Sequence, residues 1–278
     1  TGQVFMSYRD KEKIVEGIAN NYNNKEPIVD FNIDSIKYKI WRLIDNNEIE
    51  LIKEMMIDKK VIIADGHHRY KTAFQYAQDY PNKYGSDKVM VTFVNAYNKG
   101  MNVLPTHRIV RDKEISKNQL LDKISHLFNI QESSSLDDLL LKMKQFEKSN
   151  IINIGMISNS KSCYLLCYNG EKHWNKNLST ASESLDVNIL HHFILKSGCG
   201  IDTYNQNDLN HISYIRGNES PLDLINNIEA FDFIFLVNPP NLDLIFDVAE
   251  SGETMPQKST YFFPKVYSGL IFASIGDK

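Results

Sequence analysis

The chain has 278 residues, 42% of them hydrophobic, with 31 Lys and Arg against 35 Asp and Glu, a formal net charge of −4. That length and apolar content can bury one large core or two modest ones, which excludes a disordered chain. The slight acidic excess provides no global field toward a polyanion, so nucleic acid is not the expected partner.

In chain order, "GQVFMSY" reads as a strand and "KEKIVEGIANNY" as a helix with Ile14, Ile18 and Ala19 on one side. "YKIWRLID" reads as a strand, and "NNEIELIKEMMID" as a helix started by an acid, with Ile49, Ile52 and Met56 on its apolar side. "KKVIIA" is a short β-branched strand. It feeds the helix "RYKTAFQYAQDY", where Tyr70, Ala73, Phe74 and Ala77 repeat at buried-face spacing. "KVMVTFVNAY" reads as an interior strand expected beside "VIIA", and "MNVLPTHRIVR" closes a first region at residue 112.

From residue 113 to 184, two helices ("SKNQLLDKISHLF", "SLDDLLLKMKQFEKS") and two strands ("IINIGMIS", "SCYLLCYN") suggest a small α/β subdomain with polar joints at "QESSS" and "SNSKS". Residues 185–278 supply the helix "LDVNILHHFILKSG", the strand "HISYIRG" and the helix "SPLDLINNIEAF". After them come the strand "DFIFLVNPP", the helix "NLDLIFDVAESG" and a turn-rich tail with short strands. This last region is expected to pack on the first. Alternating elements of this kind predict an α/β fold with a mixed sheet. The three cysteines form no Cys-x-x-Cys pair. Cys163 and Cys167, on one strand, should sit about 13 Å apart at ~3.3 Å per residue, beyond bridging distance. A reducing cytoplasm is the expected compartment. No apolar run approaches the ~20 residues that cross a bilayer, and "TGQVFMSYRD" has no signal-peptide pattern.

The chemistry concentrates in "VIIADGHHRYKTAF". A strand feeding a helix through Asp65-Gly66 leaves the first helical N–H groups pointing at whatever lies above the turn, and with the helix dipole they attract anions. Gly66 permits close approach to the backbone. Arg69 adds a planar fork suited to phosphate or carboxylate, while His67 and His68 exchange protons near neutral pH. The plain alternative is a helix cap by Asp65 worth ~0.5–2 kcal/mol; five such residues in a row favour a phosphate cradle. Adjacent histidines diverge and no His-x-x-x-His helix is present, so a metal held by protein alone is not expected.

"VLPTHRIV" repeats the His-Arg chemistry, with His107 and Arg108 read as following a strand pair at a turn set by Pro105. Placed beside "VIIA", they would face the same crevice and contact another phosphate. The tail "MPQKSTYFFPK" offers Lys258, Ser259, Thr260 and Lys265, of which Lys258 is taken as a further phosphate contact. Of His191 and His192, one should face the core edge and the other solvent. "GIDTYNQNDLN" lacks the ligand spacing of a calcium loop, and no Walker loop, Gly-x-Gly-x-x-Gly fingerprint or Gly-x-Ser-x-Gly elbow occurs.

"SYRD", "WRLID", "VIIADGHHRYKTA", "VLPTHRIV" and "MPQKSTYFFPKVYSGL", in that order, resemble the bacterial and archaeal family known as domain of unknown function 1015. Members of that family carry a further N-terminal segment, so the resemblance implies that this chain begins inside the family's full length. The strand–Asp-Gly-His-His-Arg–helix unit is also similar to the phosphate box of the ParB and sulfiredoxin superfamily, which includes nucleotide-hydrolysing DNA-partition proteins and kinases of free serine. This second resemblance implies that Gly66, His67, His68 and Arg69 hold the phosphates of ATP or ADP. Asp65 would orient a histidine or a hydroxyl substrate, so that Asp65, His67 and His68 form the catalytic set. In the similar kinases a glutamate before the box is the base; Glu48, Glu50 and Glu54 are available here. Magnesium would accompany the nucleotide, held mainly by its phosphates. The implied activity is transfer of a phosphoryl group to free serine or a related hydroxy acid. Two alternatives are a nucleotide-binding or DNA-associated ParB-like module and a phosphatase acting on phosphoserine. Nucleotide and a small-molecule substrate are the implied partners, with homo-oligomer formation left open.

Overall fold

The computed structural model describes residues 2–33, 36–149, 151–171, 173–217, 230–267 and 269–275. The fold is mixed α/β, and its contacts divide it into two compact units: residues 1–101 with 264–278, and residues 102–263. The expected helix "SPLDLINNIEAF" lies almost wholly outside the described residues.

In the first unit, β1 (Val4–Tyr8) is buried along its whole length and is the middle strand of a three-stranded sheet. On one side it pairs antiparallel with β4 (Val61–Asp65), Phe5 opposite Asp65; on the other it runs parallel to β5 (Val91–Asn95). The expected pairing of "KVMVTFVNAY" with "VIIA" therefore does not occur, because β1, the most buried strand, sits between them. A hairpin of β2 (Val29–Ile33) and β3 (Ile36–Ile40) replaces the single strand expected over "YKIWRLID". Among the described residues, the helices α1 (Ile14–Asn20) and α2 (Asn46–Met56) precede β4, and α3 (His67–Asp79) follows it. Asp45, at the end of the run read as a strand, caps α2 by accepting hydrogen bonds from the N–H groups of Asn47 (2.8 Å) and Glu48 (3.2 Å).

The second unit is built on a six-stranded antiparallel sheet. Its chain order runs β6 (Asn102–Leu104), β7 (Thr106–Val110), α4 (Lys117–Ile124), β8 (Phe128–Ser133), α5 (Leu136–Lys148), β9 (Asn153–Ser158) and β10 (Cys163–Tyr168). Two short helices follow, α6 (Thr180–Glu183) and α7 (Asp186–Ile189). A π-helix over Leu190–Gly198, a 3-10 turn (Asp208–His211), β11 (Ile212–Arg216), β12 (Phe233–Leu236), α8 (Leu242–Glu250) and β13 (Tyr261–Phe263) complete it. The strand order is β11-β7-β12-β9-β10-β8, with β6 and β13 forming a separate ribbon. Residues 113–184 and 185–263 thus share one sheet, joined where β9 pairs with β12.

Side-chain alternation along these strands sorts residues into two cores. Val110, Ile154, Met156, Leu166, Phe233 and Phe235 pack with α4 and the π-helix on one face. Ile109, Ile157, Leu165, Ile234 and Leu236 pack against Leu139 and Met143 of α5 on the other. Burial on both faces explains why these strands read as nearly unbroken apolar runs. A capping box starts α4, where Ser116 and Gln119 bond reciprocally. All three cysteines are free, and no described helix is long and apolar enough to cross a membrane.

Candidate functional site

The Asp65–Arg69 turn lies where sequence placed it, between the end of β4 and the start of α3. Gly66 sits at φ 96°, a left-handed conformation that costs most side chains about 1–2 kcal/mol. A Cβ at this position would also lie 3.0 Å from the Arg69 Nε and Nη2 atoms. No side chain caps α3, and the Tyr70 N–H bonds the Gly66 carbonyl at 2.9 Å. The N–H groups of His67 to Arg69 therefore have no partner within the helix ladder.

Asp65 is not a helix cap. Its carboxylate is held by two cations: Arg69 Nη2 at 3.0 Å on Oδ2 and Lys265 Nζ at 2.9 Å on Oδ1. Arg69 Nη1 also donates to the Gln3 carbonyl. A network that sequence did not reveal anchors this corner, in which Thr92 Oγ1 donates to Gln3 Oε1 (2.6 Å) and Gln3 Nε2 donates to the Tyr267 carbonyl (3.0 Å). Thr92 could have been noticed as the one hydroxyl inside the apolar run "VMVTFV"; nothing local marked Gln3 or Tyr267.

Two cations meet the Asp65 carboxylate at this turn, and the helix start adds about half a positive unit. His67 and His68 are exposed at its rim. Partial desolvation lowers the His67 pKa below its ordinary 6.5, with Lys71 and His68 lowering it further and Asp65 opposing them. The imidazole is therefore neutral at pH 7 and able to take up a proton.

Other residues singled out from sequence belong to other elements. His107 and Arg108 are not in a loop: both lie inside β7, an interior strand of the second unit's sheet between β11 and β12. Pro105 separates β6 from β7, and β7 is buried throughout. His107 Nδ1 accepts the Val237 N–H at 3.2 Å, and burial, then Arg108, pulls its pKa down to about 4. Lys258 is exposed in a turn of the second unit; the tail lysine that reaches Asp65 is Lys265. On α2, Glu48 accepts from the Tyr22 hydroxyl at 2.7 Å and Glu50 pairs with Lys53 at 2.7 Å. His191 is buried and His192 exposed, as their positions on one helix imply. Among the described residues no group of three His, Cys, Asp or Glu side chains is arranged to hold a metal.

The geometry defines a class: a mixed α/β protein with an electropositive strand–glycine–helix turn. A family model described as "Protein of unknown function (DUF1015)" matches residues 1–188, and the chain belongs to that family. No curated protein matches it. Among solved structures, a conserved hypothetical protein from Pyrococcus furiosus is 10% identical, with a TM-score of 0.39 over 94% of this chain and 89% of its own. A free serine kinase in complex with AMP, and a mutant of a free serine kinase in complex with ADP, are each 10% identical. Both give TM-scores of 0.40 over 94% of this chain and 86% of theirs.

Proposed function

We propose that the β4–Gly66–α3 turn binds the phosphates of ATP or ADP and that the chain transfers a phosphoryl group to free serine or a related hydroxy acid. The observation that carries this reading is the uncapped start of α3 flanked by Arg69 and Lys265. Backbone N–H groups, a planar guanidinium and an ammonium are the donors that spread phosphate charge requires, and positioning with charged hydrogen bonds does most of the work in phosphoryl transfer.

In this reading the N–H groups of His67 to Arg69 receive phosphate oxygens, and Arg69 and Lys265 bind them from the side. Asp65 keeps both cations in place. Neutral His67 takes the acceptor's hydroxyl proton as the new O–P bond forms and the nucleotide's O–P bond breaks. The residues present fit phosphate better than a protein-held magnesium ion, because both Asp65 oxygens already accept from cations; no step is assigned to that ion.

Incubating the chain with labelled ATP or ADP and a panel of hydroxy amino acids and hydroxy acids should yield a phosphorylated acceptor. Tight nucleotide binding without transfer to any of them would leave a binding module and overturn the kinase reading. Phosphate release from phosphoserine without nucleotide would favour the hydrolytic alternative.

A further inference from the structure

The second unit buries a guanidinium two of whose nitrogens have no hydrogen-bond partner. Arg108 is fully buried in β7. Its Nη1 donates to the Thr106 carbonyl, but Nε and Nη2 are buried without any hydrogen-bond partner. Those two atoms lie along one edge of the guanidinium, the edge that binds two oxygens of a carboxylate or phosphate side-on.

Strand alternation puts Arg108 on the same face as Val110, toward the core that includes the π-helix. The guanidinium carbon stands 5.6 Å from the centre of the Tyr214 ring on the neighbouring strand. Across this face, the π-helix presents His191, which is 8% exposed. Its Nδ1 lies 3.2 Å from Thr203 Oγ1, and its Nε2 is buried with no partner. The helix is a true π turn at its end, where the Cys199 N–H bonds the Ile194 carbonyl at 2.9 Å; such helices recur at functional sites. The nearby acid, Asp186, accepts instead from the Asn238 N–H at 2.9 Å and from the Val187 backbone. Burial, then Arg108, draws the His191 pKa down to about 3, so the ring is neutral.

We propose that Arg108 and His191 form a binding site for one small oxyanion, whose two oxygens meet Arg108 Nε and Nη2 while His191 Nε2–H donates to it. Thr203 sets the required tautomer by donating its hydroxyl proton to Nδ1. The ligand class is a single carboxylate or phosphate group. This assignment stands on contacts within the second unit and does not rest on the reading of the β4–α3 turn.

The test uses the full chain carrying Arg69→Gln and Lys265→Gln, so that anion binding at the other turn does not contribute. Inorganic phosphate and acetate are titrated separately against sodium chloride at equal ionic strength. The readouts are thermal unfolding and the 15N–1H resonance of the Arg108 Nε–H, identified by its loss in Arg108→Met. A saturable rise in Tm of about 5 °C, with a shift of that resonance, is the expected result. Response to phosphate alone identifies a tetrahedral oxyanion, and response to acetate alone a carboxylate; both support the site. His191→Leu should weaken the response at least tenfold, and Arg108→Met should abolish it. The proposal fails if neither anion moves the resonance beyond the effect of chloride, or if Arg108→Met keeps the anion-dependent Tm rise. It also fails if Asp186→Asn alone produces the shift, since the guanidinium would then be satisfied by Asp186. Should Arg108→Met not fold, the anion-dependent Tm rise and its weakening in His191→Leu still decide the matter.

Discussion

Replacing Gly66 by alanine tests the turn most directly. The residue sits at φ 96°, and forcing a Cβ into that region costs about 1–2 kcal/mol. The new methyl would lie 3.0 Å from Arg69 Nε and Nη2 and 3.1 Å from Cζ, so the guanidinium must give way by a few tenths of an ångström. That movement loosens an Asp65–Arg69 pair whose side chains are 44% and 38% exposed, so the pair is worth about 1 kcal/mol at most. The expected total is about 1–3 kcal/mol. Gly252→Ala is the control, since its φ is 81° and no atom lies within 4 Å of the added Cβ; it reports the backbone cost alone. Chemical denaturation should show both midpoints falling with m unchanged, Gly66→Ala by the larger amount. ADP affinity, measured by calorimetry, should fall at least tenfold in Gly66→Ala, about 1.4 kcal/mol, and stay unchanged in Gly252→Ala. Binding by Gly66→Ala within twofold of the parent chain would refute the cradle.

Asp65→Asn removes the one negative charge from an anion site, so ADP should bind more tightly while phosphoryl transfer falls at least tenfold; weaker binding would contradict the assignment. Its stability cost should stay below about 1 kcal/mol, because the Asp65 pairs are half-exposed. The rate of phosphoryl transfer should be lost on acidification through a pKa below 6.5, since His67 must be unprotonated and its pKa is lowered from that value; a limb above 6.5 would exclude His67 as the base. Global stability should also fall with acid. His107 and His191 have folded pKa values near 4 and 3, below the ordinary 6.5, so between 6.5 and 4 the unfolded chain binds more protons. Each histidine then costs about 1.4 kcal/mol per pH unit. Asp186, raised to about 6 by burial, offsets one of them, because below pH 6 the folded state gains the proton first. Denaturant titrations from pH 7 to 4 should show that net loss, and His191→Leu should flatten it.

Local pattern revealed elements that carry a strong period and missed those that do not. The helices α2, α4 and α5 announce themselves by an apolar stripe behind Asp45, Ser116 and Ser135, each of which caps its helix. In β9 and β10 the apolar run reflects burial on both faces. The ribbon of β2 and β3 alternates only between half-buried and exposed residues, which leaves no apolar face for a pattern to mark. β8 lies at the edge of its sheet, and its sequence "NIQES" is polar for that reason, so it read as a joint. Both omissions are places where tertiary pairing, not composition, makes the strand.

The two His-Arg pairs show how far a site can be read from spacing. Asp65 to Arg69 are legible because a strand end, a glycine and a helix start succeed one another locally, and that order alone fixes where the N–H groups point. Lys265 lies 200 residues away from Asp65 and is joined to it only by the fold. His107 and Arg108 occur in a run whose proline and charges read as a loop, since arginine is almost never fully buried unless paired. The rule misplaced them because it assumes that a buried charge has its partner within the chain. Arg108 Nε and Nη2 have no hydrogen-bond partner among the described residues, and the buried acid near enough to favour its charge, Asp186, spends its hydrogen bonds on the backbone of Asn238 and Val187. The oxyanion proposed for this site would supply the two acceptors that Nε and Nη2 do not find within the described residues.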